Sequence, residues 1–247
     1  MKISIITASY NNENSIEKTI LSVIAQNYPN IEYIIIDGCS TDNTQNIIGQ
    51  YNSNIDYFIS EQDTSVYDAL NKGIKVATGD VICFLHADDT FQDNQVLNMI
   101  MKSFNNIDLD VICGDIVIKN NKDNIIRYYK GSNKVKENFS MGIMPPHPAV
   151  FMKSEVYKKM GNFSVNYKIA SDYDYLLRVF MNLDIKYKYI PKVFVSMSDG
   201  GISNKNILSK IILNFEIFKI HKRNGAPLNF FKFLRKIPIR LNELINS

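Results

Sequence analysis

The first 90 residues alternate short apolar runs with segments of helical periodicity. Four runs rich in isoleucine, valine and phenylalanine have the length of strands and are bounded by polar turns: residues 2–8, 31–37, 55–60 and 81–85. Between them, apolar residues recur at the spacing of one helix face. Strands that alternate with helices form right-handed βαβ units. We therefore predict an α/β fold with a mostly parallel, Rossmann-like central sheet flanked by helices.

The pattern is less regular after residue 90. We predict a helix at 94–104, a hairpin of strands 111–118 and 125–129, a helix that begins at Ser171 or Asp172, and a last strand at 185–195. We expect one catalytic domain at 1–203, with a nucleotide-binding half at 1–90 and an acceptor half at 91–203. Residues 204–247 form a separate helical extension in this division.

The C-terminal extension differs from the rest of the chain in charge. Residues 201–247 contain nine Lys or Arg and two Glu, whereas the preceding 200 residues contain 19 basic and 23 acidic side chains. The extension has an apolar stripe of Leu208, Ile211, Ile212, Phe215 and Phe218. It could pack on the catalytic domain, or lie on a membrane surface and contact anionic lipids. Nucleic acid is a poor partner because the body of the chain is mildly acidic.

Carboxylates follow three of the four predicted N-terminal strands. Asp37 ends the second strand, Asp63 follows the third, and the pair Asp88 and Asp89 follows the fourth. The carboxyl ends of parallel strands share one edge of a sheet, where ligands of open α/β folds bind. Carboxylates are suitable ligands for Mg²⁺ or Mn²⁺ that bridge to phosphates. These residues predict a nucleotide or diphosphate site, although solvated turns and helix caps use the same residue types.

Several segments, taken together in their order and spacing, resemble the family 2 glycosyltransferases. The segments are SIITASYN at 4–11, EYIIIDGCSTD at 32–42, EQD at 61–63 with YDALNKG at 67–73, and ADD at 87–89. DYDYLLR at 172–178 is similar to the segment that carries the catalytic base in that family. The resemblance covers about residues 2–200. It implies a GT-A fold and an inverting enzyme that uses a nucleotide sugar.

The resemblance also implies roles for individual residues. Thr7, Ser9 and the turn after them would approach the nucleotide through backbone groups, and Asp37 would accept a hydrogen bond from the base. Asp88 would coordinate a divalent ion, Mn²⁺ or Mg²⁺, with Asp89 beside it as a second ligand. The remaining residues expected around the donor are Asp63, Lys72, His86, Ala87 and His147.

Two histidines stand at unusual positions. The metal motif of the family is often Asp-x-Asp, and here His86 occupies its first position. Histidine ligates Mn²⁺ but is a poor ligand for Mg²⁺, so His86 would contact either the metal or the donor sugar and phosphate. His147 lies among prolines that restrict its loop, and it could bind donor phosphate or acceptor or be structural.

Inversion requires one base beside the acceptor hydroxyl. Asp172 is our first candidate and Asp174 the second. Because they are two residues apart at the start of a helix, their side chains point in different directions and only one can face the cleft.

We expect transfer of one sugar from a nucleotide sugar, with UDP favoured, to a glycan or a polyprenyl-diphosphate-linked acceptor in surface polysaccharide assembly. The absence of a Gln-x-x-Arg-Trp segment argues against a processive synthase. A sugar nucleotidyltransferase is an alternative, but ASYNN at 8–12 has neither the glycine nor the basic residue expected after the first strand of such enzymes. A non-catalytic nucleotide-sugar-binding protein is the other alternative.

Two features of the sequence indicate the cellular compartment of the protein. No apolar run approaches the roughly 20 residues that a membrane-spanning helix requires, and the three cysteines are widely spaced. We expect a cytoplasmic protein, with possible peripheral contact of 204–247 with the inner face of the cell membrane.

Overall fold

A central sheet of nine strands organises the computed structural model, which describes residues 1–199, 207–229 and Phe233. The strand order is β3-β2-β1-β4-β8-β6-β9-β5, and β7 pairs with β6 outside this path. The strands are β1 (Ile3–Ser9), β2 (Ile31–Asp37), β3 (Tyr57–Ser60), β4 (Val81–Phe84), β5 (Asp89–Phe91), β6 (Val111–Lys119), β7 (Ile125–Tyr129), β8 (Val150–Lys153) and β9 (Tyr187–Ser198).

Helices flank the sheet. They are α1 (Ile16–Ile24), α2 (Thr44–Gly49), α3 (Val66–Val76), α4 (Val96–Asn106), α5 (Val135–Ser140), α6 (Ser154–Met160), α7 (Ser171–Met181) and α8 (Ile207–Arg223). Short 3₁₀ turns lie at Asn52–Asn54 and His147–Ala149.

The four strands predicted in the N-terminal half all form. β2, β1 and β4 are parallel neighbours, and β3 adds in parallel at the edge. Every residue of β1 is buried because helices cover both faces of the sheet. Alternate isoleucines of β1 enter two different apolar cores, Ile6 on one face and Ile3 and Ile5 on the other. The predicted α/β class is confirmed.

The second half mixes strand directions. β8 runs antiparallel to both β4 and β6, whereas β6 and β9 are parallel. The predicted hairpin is present as β6 and β7. Two elements, β5 and α5, were not predicted from the sequence. β5 has only three residues and pairs antiparallel with β9.

The helix of the C-terminal extension is present as α8, and the predicted apolar stripe is not the face that it buries. Leu208, Ile211, Phe215 and Phe218 of the predicted apolar stripe are exposed. The buried residues of α8 include Glu216, Ile217, Ile220 and His221. Apolar residues occur on both faces of this helix, so its periodicity does not reveal which face is covered. The rest of the predicted extension, at 204–206 and after 229, lies outside the described residues, Phe233 apart.

Candidate functional site

The carboxyl ends of the parallel strands lie side by side, as the topology requires. Ser9 at the end of β1 is in register with Asp37 at the end of β2, and Asp37 is in register with Ser60 at the end of β3. The end of β4 joins the same edge through a hydrogen bond from Leu85 N to Ile6 O of 3.0 Å. One edge of the sheet therefore collects the ends of all four strands.

The loops after β1 and β2 are tied together. Gly38 N donates to Ser9 O at 2.9 Å, and Asn11 N donates to Ser40 Oγ at 2.8 Å. Asn11 and Cys39 have left-handed backbone conformations, with φ of 52° and 63°. Non-glycine residues adopt this region at a cost that the surroundings must offset, and such residues cluster at functional sites. The cross-linked loops give this edge a fixed shape.

Asp37 is fully buried and organises the turn that follows it. Its Oδ2 accepts hydrogen bonds from Ser40 N at 2.9 Å and Ser60 Oγ at 2.6 Å. Its Oδ1 accepts one, from Ser40 Oγ at 2.5 Å. Each carboxylate oxygen can accept about two hydrogen bonds, so Oδ1 retains an acceptor position. The predicted hydrogen bond to a nucleotide base stays a prediction.

Asp63 and Lys72 form an ion pair at the same edge. Lys72 Nζ lies 2.6 Å from Asp63 Oδ1 and 2.8 Å from Glu61 Oε1. Burial raises the pKa of Asp63 and outweighs the opposing effect of Lys72. Asp63 also lies against the β2 turn, since a methyl group added at Gly38 would be 3.3 Å from Asp63 Oδ2. Lys72 could therefore reach a phosphate only by releasing carboxylates that it already binds.

Thr7 and Ser9 are held by contacts within the protein. Thr7 is fully buried, and its Oγ1 donates to Leu85 O at 2.7 Å. Ser9 is buried, and its carbonyl accepts the Gly38 N–H described above. The Thr7 hydroxyl connects β1 to the end of β4, and the predicted approach of a nucleotide to the backbone of Thr7 and Ser9 stays a prediction.

A carboxylate without partners lies after β4. Asp89 is fully buried, and within the described part of the chain neither of its side-chain oxygens has a hydrogen-bond partner. Burial first, and then the neighbouring Asp88, raise the pKa of Asp89 well above its usual value. Asp88 is half-buried, and Ser198 Oγ donates to its backbone carbonyl at 2.9 Å. A buried carboxylate needs a cation or a proton, so this pair is suitable for a divalent ion.

Carboxylates alone do not complete a metal site in the described residues. Across 1–199 and 207–229 there is no group of three or more His, Cys, Asp or Glu side chains arranged around one ion position. Mg²⁺ in nucleotide enzymes is usually held by one or two carboxylates, substrate phosphates and water. Asp88 and Asp89 fit that kind of partial site, with Ala87 buried beside them.

His86 and His147 lie next to each other beside the β4 end. Their ring centroids are 6.3 Å apart, and the His147 ring also contacts Phe84 at 5.3 Å and Phe163 at 5.7 Å. Burial, and then the nearby His86, lower the pKa of His147 to about 3. Burial likewise lowers the pKa of His86, against the effect of Asp88. His147 is therefore a neutral imidazole at physiological pH and could contact a donor only by hydrogen bonding.

Asp172 lies in the first turn of α7 and is half-buried. Its Oδ1 accepts a hydrogen bond from Tyr173 N at 2.7 Å. Burial raises its pKa to about 6, although hydrogen bonds from the Tyr173 N–H and from Tyr67 oppose the rise. A carboxylate with this pKa is suitable for proton abstraction near neutral pH.

Asp174 has different surroundings. It is buried, its Oδ2 lies 3.1 Å from Arg178 Nε, and its Oδ1 accepts from Asn224 Nδ2 at 3.1 Å. Arg178 also donates to Asn162 O at 2.9 Å. The two candidate bases therefore have different partners, and the contacts of Asp174 hold α7 in place.

Aromatic rings connect the Asp172 segment to the β4 end. The Tyr67 hydroxyl donates to Ile169 O at 2.5 Å, and the Tyr67 ring lies 6.2 Å from Phe163. Phe163 in turn lies 5.5 Å from Phe84. Asn71 fixes Phe163 by accepting from its N–H at 2.9 Å and donating to its carbonyl at 3.0 Å. The candidate base and the acidic end of β4 therefore belong to one packed region.

Three members of this region, Tyr67, Asn71 and Glu216, were not predicted from the sequence. Tyr67 and Asn71 were within the quoted YDALNKG segment and are one turn apart on α3, which places them on one helix face. Glu216 is an isolated acid in a basic segment, and this was the signal available for it.

Comparison with known proteins identifies the family. The sequence model described as glycosyl transferase family 2 matches residues 4–176. The chain belongs to glycosyltransferase family 2. The match includes the ends of β1 to β4, His147, Asp172 and Asp174, whereas Arg178, Ser198 and the residues from α8 onward lie beyond it. The chain is a glycosyltransferase rather than a nucleotidyltransferase.

Curated relatives of this family 2 glycosyltransferase include proteins of mycobacteria. An uncharacterized glycosyltransferase of Mycobacterium tuberculosis is 29% identical over 192 residues, which are 71% of this chain and 68% of the relative. A PGL/p-HBAD biosynthesis glycosyltransferase of Mycobacterium bovis is 28% identical over 188 residues, covering 74% of this chain and 72% of the relative.

Solved structures confirm the GT-A fold of the glycosyltransferase. TarS 1–349 of S. aureus, in complex with UDP-GlcNAc, has a TM-score of 0.67 at 17% identity and covers 90% of this chain and 72% of its own. The mannosyltransferase PcManGT of Pyrobaculum calidifontis, in complex with GDP-Man and Mn²⁺, has a TM-score of 0.65 at 18% identity, over 91% of this chain and 64% of its own.

Proposed function

We propose that this glycosyltransferase moves one sugar, with inversion, from a UDP-sugar to a hydroxyl of a glycan or lipid-linked acceptor. The observation that carries the proposal is Asp172. It is a half-buried carboxylate whose pKa is raised to about 6, whereas the alternative base Asp174 is paired with Arg178. An enzyme of this family needs one base beside the acceptor, and Asp172 has the protonation behaviour of such a base.

The donor would bind along the carboxyl edge of β1 to β4. Asp37 and Asp63 would line the nucleotide pocket, while Asp88 and Asp89 would hold a divalent ion. The buried, unpartnered oxygens of Asp89 support this assignment because they need a cation or a proton. The bound ion would stabilise negative charge on the departing diphosphate. The complexes of PcManGT with GDP-Man and Mn²⁺, and of TarS with UDP-GlcNAc, provide support by analogy.

The proposed chemical step is an in-line displacement at the anomeric carbon. Asp172 accepts the proton of the acceptor hydroxyl as its oxygen forms a bond to the anomeric carbon of the donor sugar. The bond from that carbon to the diphosphate oxygen breaks, and the electron pair leaves with the nucleoside diphosphate. Attack from the face opposite the diphosphate inverts the anomeric configuration.

The exposed face of α8 supports the proposal that the acceptor is bound at a membrane surface. Leu208, Ile211 and Phe215 are about 60% exposed, and the exposed Lys219 and Lys222 lie on the same side of the helix. An exposed apolar face flanked by lysines is typical of helices that bind anionic bilayers in the plane of the interface. Among the described residues, no helix is long and apolar enough to cross a membrane. We propose that α8 contacts the membrane surface where a polyprenyl-diphosphate-linked acceptor would be presented.

A thermal-shift screen tests the donor assignment. UDP-GlcNAc, UDP-glucose, UDP-galactose and GDP-mannose would each be added in Mn²⁺, in Mg²⁺ and in EDTA. A ligand at 100 times its Kd stabilises the folded state by about 2.7 kcal/mol, which is readily measured. The proposal predicts stabilisation by UDP-sugars that depends on the metal, followed by UDP release when an acceptor is supplied. Stabilisation by GDP-mannose alone would overturn the UDP assignment, and no response to any nucleotide sugar would overturn the donor site.

A further inference from the structure

The inner face of α8 binds the backbone directly before the candidate base. Glu216 is buried, and its Oε1 accepts from Lys168 N at 2.7 Å. Its Oε2 accepts from Ile169 N at 3.1 Å and from Ala170 N at 2.9 Å. Three consecutive backbone N–H groups are thus satisfied by one carboxylate from a helix that begins more than 30 residues later in the chain.

These bonds fix the start of α7, where Asp172 lies. Hydrogen bonds to an ionised carboxylate are roughly twice as strong as neutral ones. Negative charge is also favoured near the N-terminus of a helix. From the other side, the Tyr67 hydroxyl holds Ile169 O, so the loop is tethered to α3 and α8 at once.

The residues after Asp172 are bound by α8 and by Asn224, which directly follows it. The Tyr173 hydroxyl lies 2.7 Å from His221 Nε2, and Asn224 Nδ2 donates to Asp174 Oδ1 at 3.1 Å. The α8 segment therefore contacts residues on both sides of Asp172 in the sequence. The Asp172 carboxylate itself accepts a hydrogen bond from Tyr173 N. The matched family region ends at residue 176, so α8 lies outside it.

We propose that Glu216 is a positioning residue that holds the 168–170 backbone so that Asp172 is aligned with the acceptor. This inference rests on the proposed role of Asp172 as the base. It predicts a defect in turnover and not in donor binding, because Glu216 contacts none of the residues proposed to bind the donor or the metal. The negative charge of Glu216 also contributes to the raised pKa of Asp172, after burial.

Glu216→Gln tests the proposal because it keeps the shape and replaces one accepting oxygen with an amide. The matched control is Glu155→Gln, which removes an exposed carboxylate that pairs with Lys158. We expect Glu216→Gln to reduce kcat by about ten-fold to a hundred-fold, since small misplacements of catalytic groups have effects of that size. The Kd for UDP in Mn²⁺, measured by calorimetry, should stay within two-fold of wild type.

Two further readouts separate positioning from general destabilisation. The acid limb of the pH–rate profile should move to lower pH in Glu216→Gln, because a negative charge near Asp172 is removed. Hydrogen exchange of the Lys168, Ile169 and Ala170 amides should accelerate, whereas exchange in the middle of α7 should not. Glu216→Asp keeps the charge but shortens the side chain, so it should lower kcat and leave the acid limb in place.

Wild-type kcat, pH profile and amide exchange in Glu216→Gln would overturn the inference, as would parallel losses of kcat and UDP affinity. If Glu216→Gln does not fold, Glu216→Asp decides with the same kcat, affinity and exchange measurements. The proposed function can fail separately. If the wild type transfers no sugar from any nucleotide sugar, both proposals fall, but an active wild type with an unaffected variant refutes only the role of Glu216.

Discussion

Replacing Asp172 by Asn should strongly reduce turnover and at the same time stabilise the protein. Burial raises the pKa of this carboxyl from 3.8 to about 6. Each pKa unit corresponds to about 1.36 kcal/mol, which gives a ceiling near 3 kcal/mol for the cost of the ionised form. Because the side chain is half-buried, solvent screening reduces this to about 1–2 kcal/mol.

The sign of the pH dependence follows from the direction of the pKa shift. A carboxyl whose pKa is raised in the folded state destabilises that state above its folded pKa, and the penalty is absent below its ordinary pKa of 3.8. The Asn variant should therefore gain its full stability advantage at pH 8 and lose it by pH 4. For a chain of this size, about 1–2 kcal/mol raises Tm by about 2–8 °C.

The assays are calorimetric melting at pH 8 and pH 4.5, the Kd for UDP, and the rate of UDP release. We expect the rate to fall by about 10²- to 10⁴-fold, the range typical of a lost general base, with the Kd for UDP nearly unchanged. In the wild type, kcat/KM should fall as pH drops through about 6, where Asp172 becomes protonated. Full turnover by Asp172→Asn, or a lower Tm at pH 8, would refute this account of Asp172.

Three other predictions concern separate parts of the molecule. Asp88→Asn should reduce the affinity for UDP in Mn²⁺ to the value that the wild type shows in EDTA. Asp80→Asn, at the exposed opposite end of β4, is its matched control, and equal calorimetric affinities in the two variants would contradict the metal role. Asp37→Asn should lower the free energy of unfolding by about 1–3 kcal/mol in urea titrations, since an amide group would face buried donors. An unchanged urea midpoint would show that the hydrogen bonds accepted by Asp37 do not stabilise the turn after β2. The double variant Ile211→Asp and Phe215→Asp should no longer float with vesicles rich in phosphatidylglycerol, while the wild type floats with them and not with phosphatidylcholine. Equal flotation of variant and wild type would remove the membrane role of α8.

Local pattern was enough to predict the N-terminal half of the fold. Strands β1, β2 and β4 are mostly apolar runs, and the βαβ pattern then predicts that they are parallel. The edge that collects Asp37, Asp63 and Asp88 follows from that topology without any knowledge of contacts.

Long-range pairing could not be predicted in the same way. Strand β5 is formed by three residues whose partner strand is far away, and the bond between Ser198 and Asp88 spans 110 positions. A three-residue strand has no detectable periodicity, so the sequence indicated only a turn there. This is why the burial of Asp89, which decides its need for a cation, was not foreseen.

The choice between Asp172 and Asp174 illustrates a signal that was present in the sequence. Asp174 and Arg178 are four residues apart, the spacing at which helix side chains pair. The role of Glu216 had no comparable local signal, because its partners are backbone groups more than 40 positions away.

A crystal structure with UDP and Mn²⁺ tests the central claim most directly, since anomalous scattering locates the manganese independently of the nucleotide. We predict the nucleoside along the carboxyl ends of β1 to β3 and a manganese peak about 2.2 Å from an Asp88 carboxylate oxygen, a normal length for a bond between a hard cation and oxygen. We also predict the diphosphate beside that ion, on the side of the cleft that faces Asp172. Nucleotide bound elsewhere on the chain, or manganese remote from Asp88 and Asp89, would contradict the claim.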